Sequence, residues 1–151
     1  MTEPLDDEAL DAWRALLTAH AHVTRRISRD LAEAGLPDLS WYDLLWALRR
    51  QPERRLRVNA LAREVVLSPT AMSRFVDRAE AAGYVRREPD PDDRRALQVV
   101  LTDEGLELLR AMWPVYERGI AEHFAAHLGG SPGELRDTLR RIAGSARGEP
   151  V

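Results

Sequence analysis

The sequence predicts a mainly α-helical chain carrying one small β-hairpin, and three observations predict it. Apolar residues recur at spacings of three and four along most of the 151 residues. Glycine and proline punctuate these stripes where helices should stop or restart. Residues 84–101 break the pattern, reading as two short strands around a Pro- and Asp-rich turn.

Residues 5–34 read as one long helix, with Leu10, Trp13, Leu17, His20, Thr24, Ile27, Leu31 and Ala34 on one face. Gly35 and Pro37 stop it. Ser40 is the expected N-cap of a second helix over about 41–51, with Trp41, Leu44, Leu45 and Leu48 on its apolar side. Residues 54–58 are too short for a helix and suit a short strand. A third helix covers about 59–66, with Leu61, Ala62 and Val65 inward. Ser68-Pro69 restarts the chain as N-cap and first helical residue. The fourth helix, about 69–82, turns Ala71, Met72, Phe75, Val76 and Ala79 inward, and Gly83 closes it.

Tyr84 to Arg87 and Leu97 to Leu101 form the arms of the hairpin, with a tip of about eight to ten residues between them. Thr102 caps a fifth helix over about 103–128, striped by Leu106, Leu109, Trp113, Tyr116, Ile120, Phe124 and Leu128. Pro114 inside it predicts a kink or break near residue 110. Ser131-Pro132-Gly133-Glu134 reads as a capping box for a last helix carrying Leu135, Leu139 and Ile142.

Composition excludes several classes of protein. The chain has no cysteine, so it has no disulfide framework and no thiol redox chemistry. No apolar run approaches the length of a membrane span, and the acidic start is unlike a secretory signal; a cytoplasmic protein is expected. There is no Gly-rich phosphate loop, no nucleophile elbow and no carboxylate pair set apart from surface acids, so no enzyme is expected and no cofactor. All 22 basic residues are arginine, against 25 acidic ones, a net charge of −3. Residues 49–95 hold 12 arginines against 8 acids, net +4, between acidic ends. That distribution suggests a local anion-binding face, the alternative being a solvated surface of uneven charge.

The order helix, tight turn, helix, basic hairpin is that of a winged helix-turn-helix. Such a unit places its second helix in the DNA major groove and its hairpin near the adjacent minor groove. The fourth helix leaves Ser68, Thr70, Ser73, Arg74, Asp77 and Arg78 outside its apolar face. Ser68 and Thr70 lie at its positive end, and Arg74 has the fork geometry for guanine. At the hairpin tip Arg94 and Arg95 supply charge, and Asp93, two residues before Arg95, suits the orientation of its guanidinium.

These residues carry a resemblance. The run Leu61-Ala62, Ser68 to Arg78, Ala82 to Arg87, Asp92 to Arg95 and Val99 to Gly105 resembles the MarR family of winged helix-turn-helix transcriptional regulators. The Asp-x-Arg wing followed by Leu-Thr-x-x-Gly is its most specific part. The resemblance implies that Arg95 enters the minor groove with Asp93 as its orienting partner. It also implies that residues 1–39 and 103–151 dimerise around a DNA-binding unit at 40–102, presenting two recognition helices to a pseudo-palindromic operator. Family members often bind small anionic aromatics between the two lobes. The candidates here are Trp13, His20, Trp41, Tyr42, Trp46, Trp113 and Tyr116. A repressor released by a small aromatic or lipophilic ligand is therefore expected. The alternatives are a metal-responsive regulator, using His123 and His127 at helical spacing, and a regulator with no ligand.

Overall fold

The computed structural model describes residues 4–148. Six helices are found there: α1 (Asp7–Glu33), α2 (Leu39–Arg49), α3 (Val58–Val65), α4 (Pro69–Ala81), α5 (Asp103–His123) and α6 (Pro132–Ala146). Three strands, β1 (Arg55–Arg57), β2 (Val85–Pro89) and β3 (Leu97–Leu101), form an antiparallel sheet in the order β1-β3-β2. Leu56 pairs with Val99 on one side of β3, and Arg87 pairs with Val99 on the other.

The caps explain most boundaries. Asp6 opens α1 by accepting from the Ala9 amide, with Asp7 and Glu8 in the first turn. Asp38, not Ser40, caps α2: its carboxylate accepts the Ser40 amide at 2.9 Å. The carboxylate sits where the orphan amides of the first turn point, so the helix starts earlier than expected. Ser68 caps α4 from the Ala71 amide, as the sequence predicts. Ser131 makes no side-chain cap, so α6 starts on Pro132 without the expected capping box.

Pro114 does not break α5, which runs unbroken from Asp103 to His123. It ends five residues earlier than the stripe suggests. Phe124 leaves helical geometry, and Ala125–His127 form a 3-10 turn. The hairpin tip is also shorter than expected, residues 90–96, because β2 extends through Pro89.

One apolar core joins the middle helices and the sheet. Leu44, Leu45 and Leu48 of α2, Leu61 of α3, Met72 and Val76 of α4, and Val99 of β3 are inaccessible to water. Ile27 and Leu31 of α1, with Leu106, Leu109 and Met112 of α5, belong to the same cluster. Two glycines permit this closeness. A methyl group at Gly105 would run into the Tyr84 carbonyl oxygen. One at Gly119 would lie 2.6 Å from Ile27 Cγ1, where α5 crosses α1. The Leu-Thr-x-x-Gly motif thus has a physical role. Thr102 caps α5 through the Gly105 amide, donates its hydroxyl to the Gly83 carbonyl at 2.7 Å, and leads into the glycine that lets α5 lie on Tyr84.

The ends are different. Residues 11–22 of α1 are exposed throughout, including Trp13, Leu16 and Leu17. Helix α6 buries no residue, and Ile142 is half exposed.

Candidate nucleic-acid interface

Helix α4 is held against the sheet by one arginine. Arg87 of β2 donates to Asp77 at 2.7 Å, to Glu80 at 3.0 Å and to the Ser73 carbonyl at 3.2 Å, while its amide donates to the other Glu80 oxygen. Sequence reading misses this latch, leaving Asp77 simply outside the apolar face. Arg78 stacks its guanidinium over the Phe75 ring, 4.9 Å from the centroid. Ser68, Thr70, Ser73 and Arg74 are exposed along the first half of α4.

The wing is organised by a residue the sequence does not single out. Asp90 is 4% exposed although it opens the tip. Its carboxylate accepts from Arg57 Nε at 2.6 Å, from the amides of Asp92 and Asp93, and from Gln98 Nε2. These bonds tie β1, the tip and β3 together. The Arg57 hydrogen bond, aided by the Asp92 amide, holds its pKa down at about 2. A signal for it existed: Asp followed by Pro marks an Asx-type turn, in which the carboxylate caps amides two and three residues on.

Asp93 does not play the part expected of it. Its carboxylate accepts the backbone amide of Arg95 at 3.0 Å, not the guanidinium. The side chains of Arg74, Arg94 and Arg95 are exposed and make no hydrogen bond or ion pair among the described residues. By contrast Arg55, Arg57, Arg86 and Arg87 are all tied into the sheet by carboxylates. The fold therefore spends some arginines on its own scaffold and leaves others exposed without protein partners.

The aromatic candidates separate into two groups. Tyr42, Trp46, Trp113 and Tyr116 come together between α2 and α5, with Tyr42 stacked near both tryptophans and edge-on to Tyr116. They line a cavity of about 570 Å³ with Asp43, Arg49, Leu106, Leu109, Arg110 and Ile120. Burial raises the pKa of both tyrosines, with the charge of Asp43 contributing to each, so both hydroxyls stay protonated. Trp41 lies elsewhere, edge-on to Phe75 and Tyr84 in the core. Trp13 and His20 are exposed on α1 and do not line the cavity. The charged lining residues Asp43, Arg49 and Arg110 were not foreseen; a charge on the solvent side of a stripe carries no mark of which cavity it borders.

The histidine pair fails on geometry. Because α5 ends at His123, His127 sits in the following 3-10 turn and the two no longer share a helical face. His123 lies 3.8 Å from Asp30. Among the described residues no group of three His, Asp or Glu side chains is placed to hold a metal ion.

Comparison with known proteins agrees with this architecture. A model of the MarR family matches residues 34–96. AbsC of Streptomyces coelicolor, a regulator of that family, is 33% identical, with 98% of this chain and 100% of that one aligned at a TM-score of 0.84. The chain belongs to the MarR family. A second member from the same organism, Sco3205, solved in complex with DNA, is 32% identical over 96% of this chain and 91% of its own, at a TM-score of 0.84. The transcriptional regulator HosA of Escherichia coli is 34% identical over 102 residues, 66% of this chain and 73% of HosA. As a MarR-family protein it is a DNA-binding transcriptional regulator with a winged helix-turn-helix, not an enzyme. Among the described residues no helix is long and apolar enough to cross a membrane.

Proposed function

We propose that the protein is a homodimeric repressor that reads a pseudo-palindromic operator and is released by a small ligand in the α2–α5 cleft. The observation that carries this reading is the set of free arginines. Arg74 on α4 and Arg94 and Arg95 on the wing tip lack protein partners, while Arg57 and Arg87 of the sheet are bonded to carboxylates. Helix α4 enters the major groove with Ser68 and Thr70 against phosphate and Ser73 and Arg74 toward base edges. Arg78, stacked on Phe75, presents its charge to the backbone. The wing carries Arg94 and Arg95 to the minor groove, held in place by Asp90, with Asp93 shaping the tip. The DNA complex of Sco3205 supports this docking.

Dimerisation occurs through the ends. The exposed stripe of α1 and the unburied α6 offer apolar surface that a second chain covers. On this reading residues 1–39 and 103–151 supply the pairing surfaces and residues 40–102 the reading head. Repression follows because an operator-bound dimer blocks polymerase without needing an activating surface. The cavity lined by Tyr42, Trp46, Trp113 and Tyr116 joins α5 to the reading head, so a ligand there changes how the heads are spaced.

Titration on DNA from upstream of the protein's own gene tests the reading, by fluorescence anisotropy at two salt concentrations beside a scrambled duplex. Tight, salt-sensitive preference for the native duplex is expected, and Arg95→Ala should weaken it about tenfold or more with folding unchanged. Equal, weak binding to both duplexes, with no effect of Arg95→Ala, would count against it.

A further inference from the structure

The aromatic cavity has a neighbour. A second cavity of about 290 Å³ is lined by Asp43, Trp46, Ala47, Arg50, Glu64, Val65 and Val66. Asp43 and Trp46 line both. With Arg50, the C-cap of α2, they stand three and four residues apart and so share one side of that helix. Trp46, 46% exposed, therefore forms the wall between the aromatic cleft and the turn that joins α3 to α4.

The charges of the two cavities differ. The first holds one carboxylate, Asp43, against two guanidiniums, Arg49 and Arg110, the latter paired with Glu107 at 2.5 Å. The second holds two carboxylates, Asp43 and Glu64, against one guanidinium, Arg50, which is paired with Glu64 at 3.3 Å. Asp43 has no hydrogen bond or ion pair among the described residues. Burial, and then the charge of Asp38, push its carboxyl pKa up. Asp43 is exposed, and its unpaired carboxylate shares the lining of both cavities with Trp46, whose indole favours cations.

The far wall of the second cavity is the helix-turn-helix turn itself. Val66 there has a φ of 59° and is 87% exposed. A β-branched residue in the left-handed region is disfavoured, and exposure gives it no packing in return. Pressure on this turn acts two residues before Ser68, the cap that starts α4.

We infer that the effector is an elongated cationic amphiphile whose aromatic body fills the α2–α5 cleft and whose protonated amine passes Trp46 to meet Asp43 beside the Val66 turn. This rests on the reading of the cleft as the effector site. It adds the class of ligand and a route from ligand to recognition helix within one subunit.

Three matched probes test it: 4-(2-naphthyl)butylamine, 4-(2-naphthyl)butanol and 4-(2-naphthyl)butanoate. Each is titrated into the full-length protein by calorimetry, and into its operator complex by anisotropy. The amine is expected to bind about tenfold tighter than the alcohol, the scale of one hydrogen-bonded contact between an ammonium and the Asp43 carboxylate, and to release DNA. The carboxylate is expected to bind weakest. Asp43→Asn should erase the amine's advantage and leave the alcohol unchanged, and Asp43→Ser serves as a second variant if the first folds poorly. Butanoate binding as tightly as the amine, or an amine advantage that survives both substitutions, would overturn the assignment while leaving the cleft as an effector site. Failure of all three probes to bind would overturn the cleft reading with it.

Discussion

In the middle of the chain, α2, α3 and α4 close their apolar faces on one another and on the sheet, so that Leu44, Leu48, Leu61, Met72 and Val76 lose all contact with water. At the ends the same kind of stripe stays open. Trp13, Leu16 and Leu17 on α1 are exposed, and α6 carries Leu135, Leu139 and Ile142 without burying any residue. Both regions have helical periodicity of comparable quality. What differs is whether one chain contains the surface that completes the stripe. Exposed apolar surface of this kind suits an interaction site, and on the proposed reading a second copy provides the matching stripe.

The sharpest way to probe the closed half is Leu48→Ala. It empties a fully buried site and should destabilise the protein by about 2–5 kcal/mol, seen as a lower midpoint in denaturant unfolding. The equivalent test of the open half is Leu17→Asp. It removes no intrachain packing of consequence, yet should convert dimer to monomer and weaken operator binding about 100-fold or more, because two linked half-sites become one. Light scattering with anisotropy reads both effects. If Leu17→Asp leaves association and DNA affinity unchanged, the contrast between the halves has no functional meaning.

Within the closed half the arginines repeat the contrast on a smaller scale. Arg74→Ala should weaken operator binding about tenfold and leave the thermal midpoint unmoved, because it has no protein partner. Arg87→Ala should lower the midpoint, because its guanidinium bridges Asp77, Glu80 and the Ser73 carbonyl. The smallest effect expected is on pH dependence. Asp90 is held at about pKa 2 in the folded protein, against about 3.9 for an ordinary aspartate. A depressed carboxylate stabilises the fold fully above its unfolded value and loses that contribution as pH falls through its folded value. The advantage of wild type over Asp90→Asn in thermal melts should therefore be constant above pH 5 and vanish between about pH 4 and pH 2.

The closed half was the more legible in sequence, for a physical reason. Its stripes, its Ser68-Pro69 restart and its Gly83 stop are local signals whose partners lie within the same chain. Alternation and turn chemistry located the wing, but not its organiser. Nothing local sets Asp90 apart within the Asp-rich turn, and only the return of β3 and the approach of Arg57 enclose it. The cap of α2 moved from Ser40 to Asp38, two neighbouring capping residues that sequence alone does not rank. Helix α5 was read too long because Phe124 and Leu128 continue its period beyond the point where the backbone turns. The cleft was half legible. Four of the seven ligand candidates, Tyr42, Trp46, Trp113 and Tyr116, come together there, although Tyr42 and Trp46 lie off the apolar stripe read for α2, and Trp13, His20 and Trp41 do not join them. Trp41 shares helix α2 with Trp46, yet one turns to Phe75 and the other to the cavity.

Sedimentation equilibrium of the full-length protein, alone and with a duplex containing its operator, tests the central claim most directly. The account predicts a dimer in the free protein and one dimer per duplex in the complex. A stable monomer that binds the operator one chain per duplex, with undiminished affinity, would contradict it.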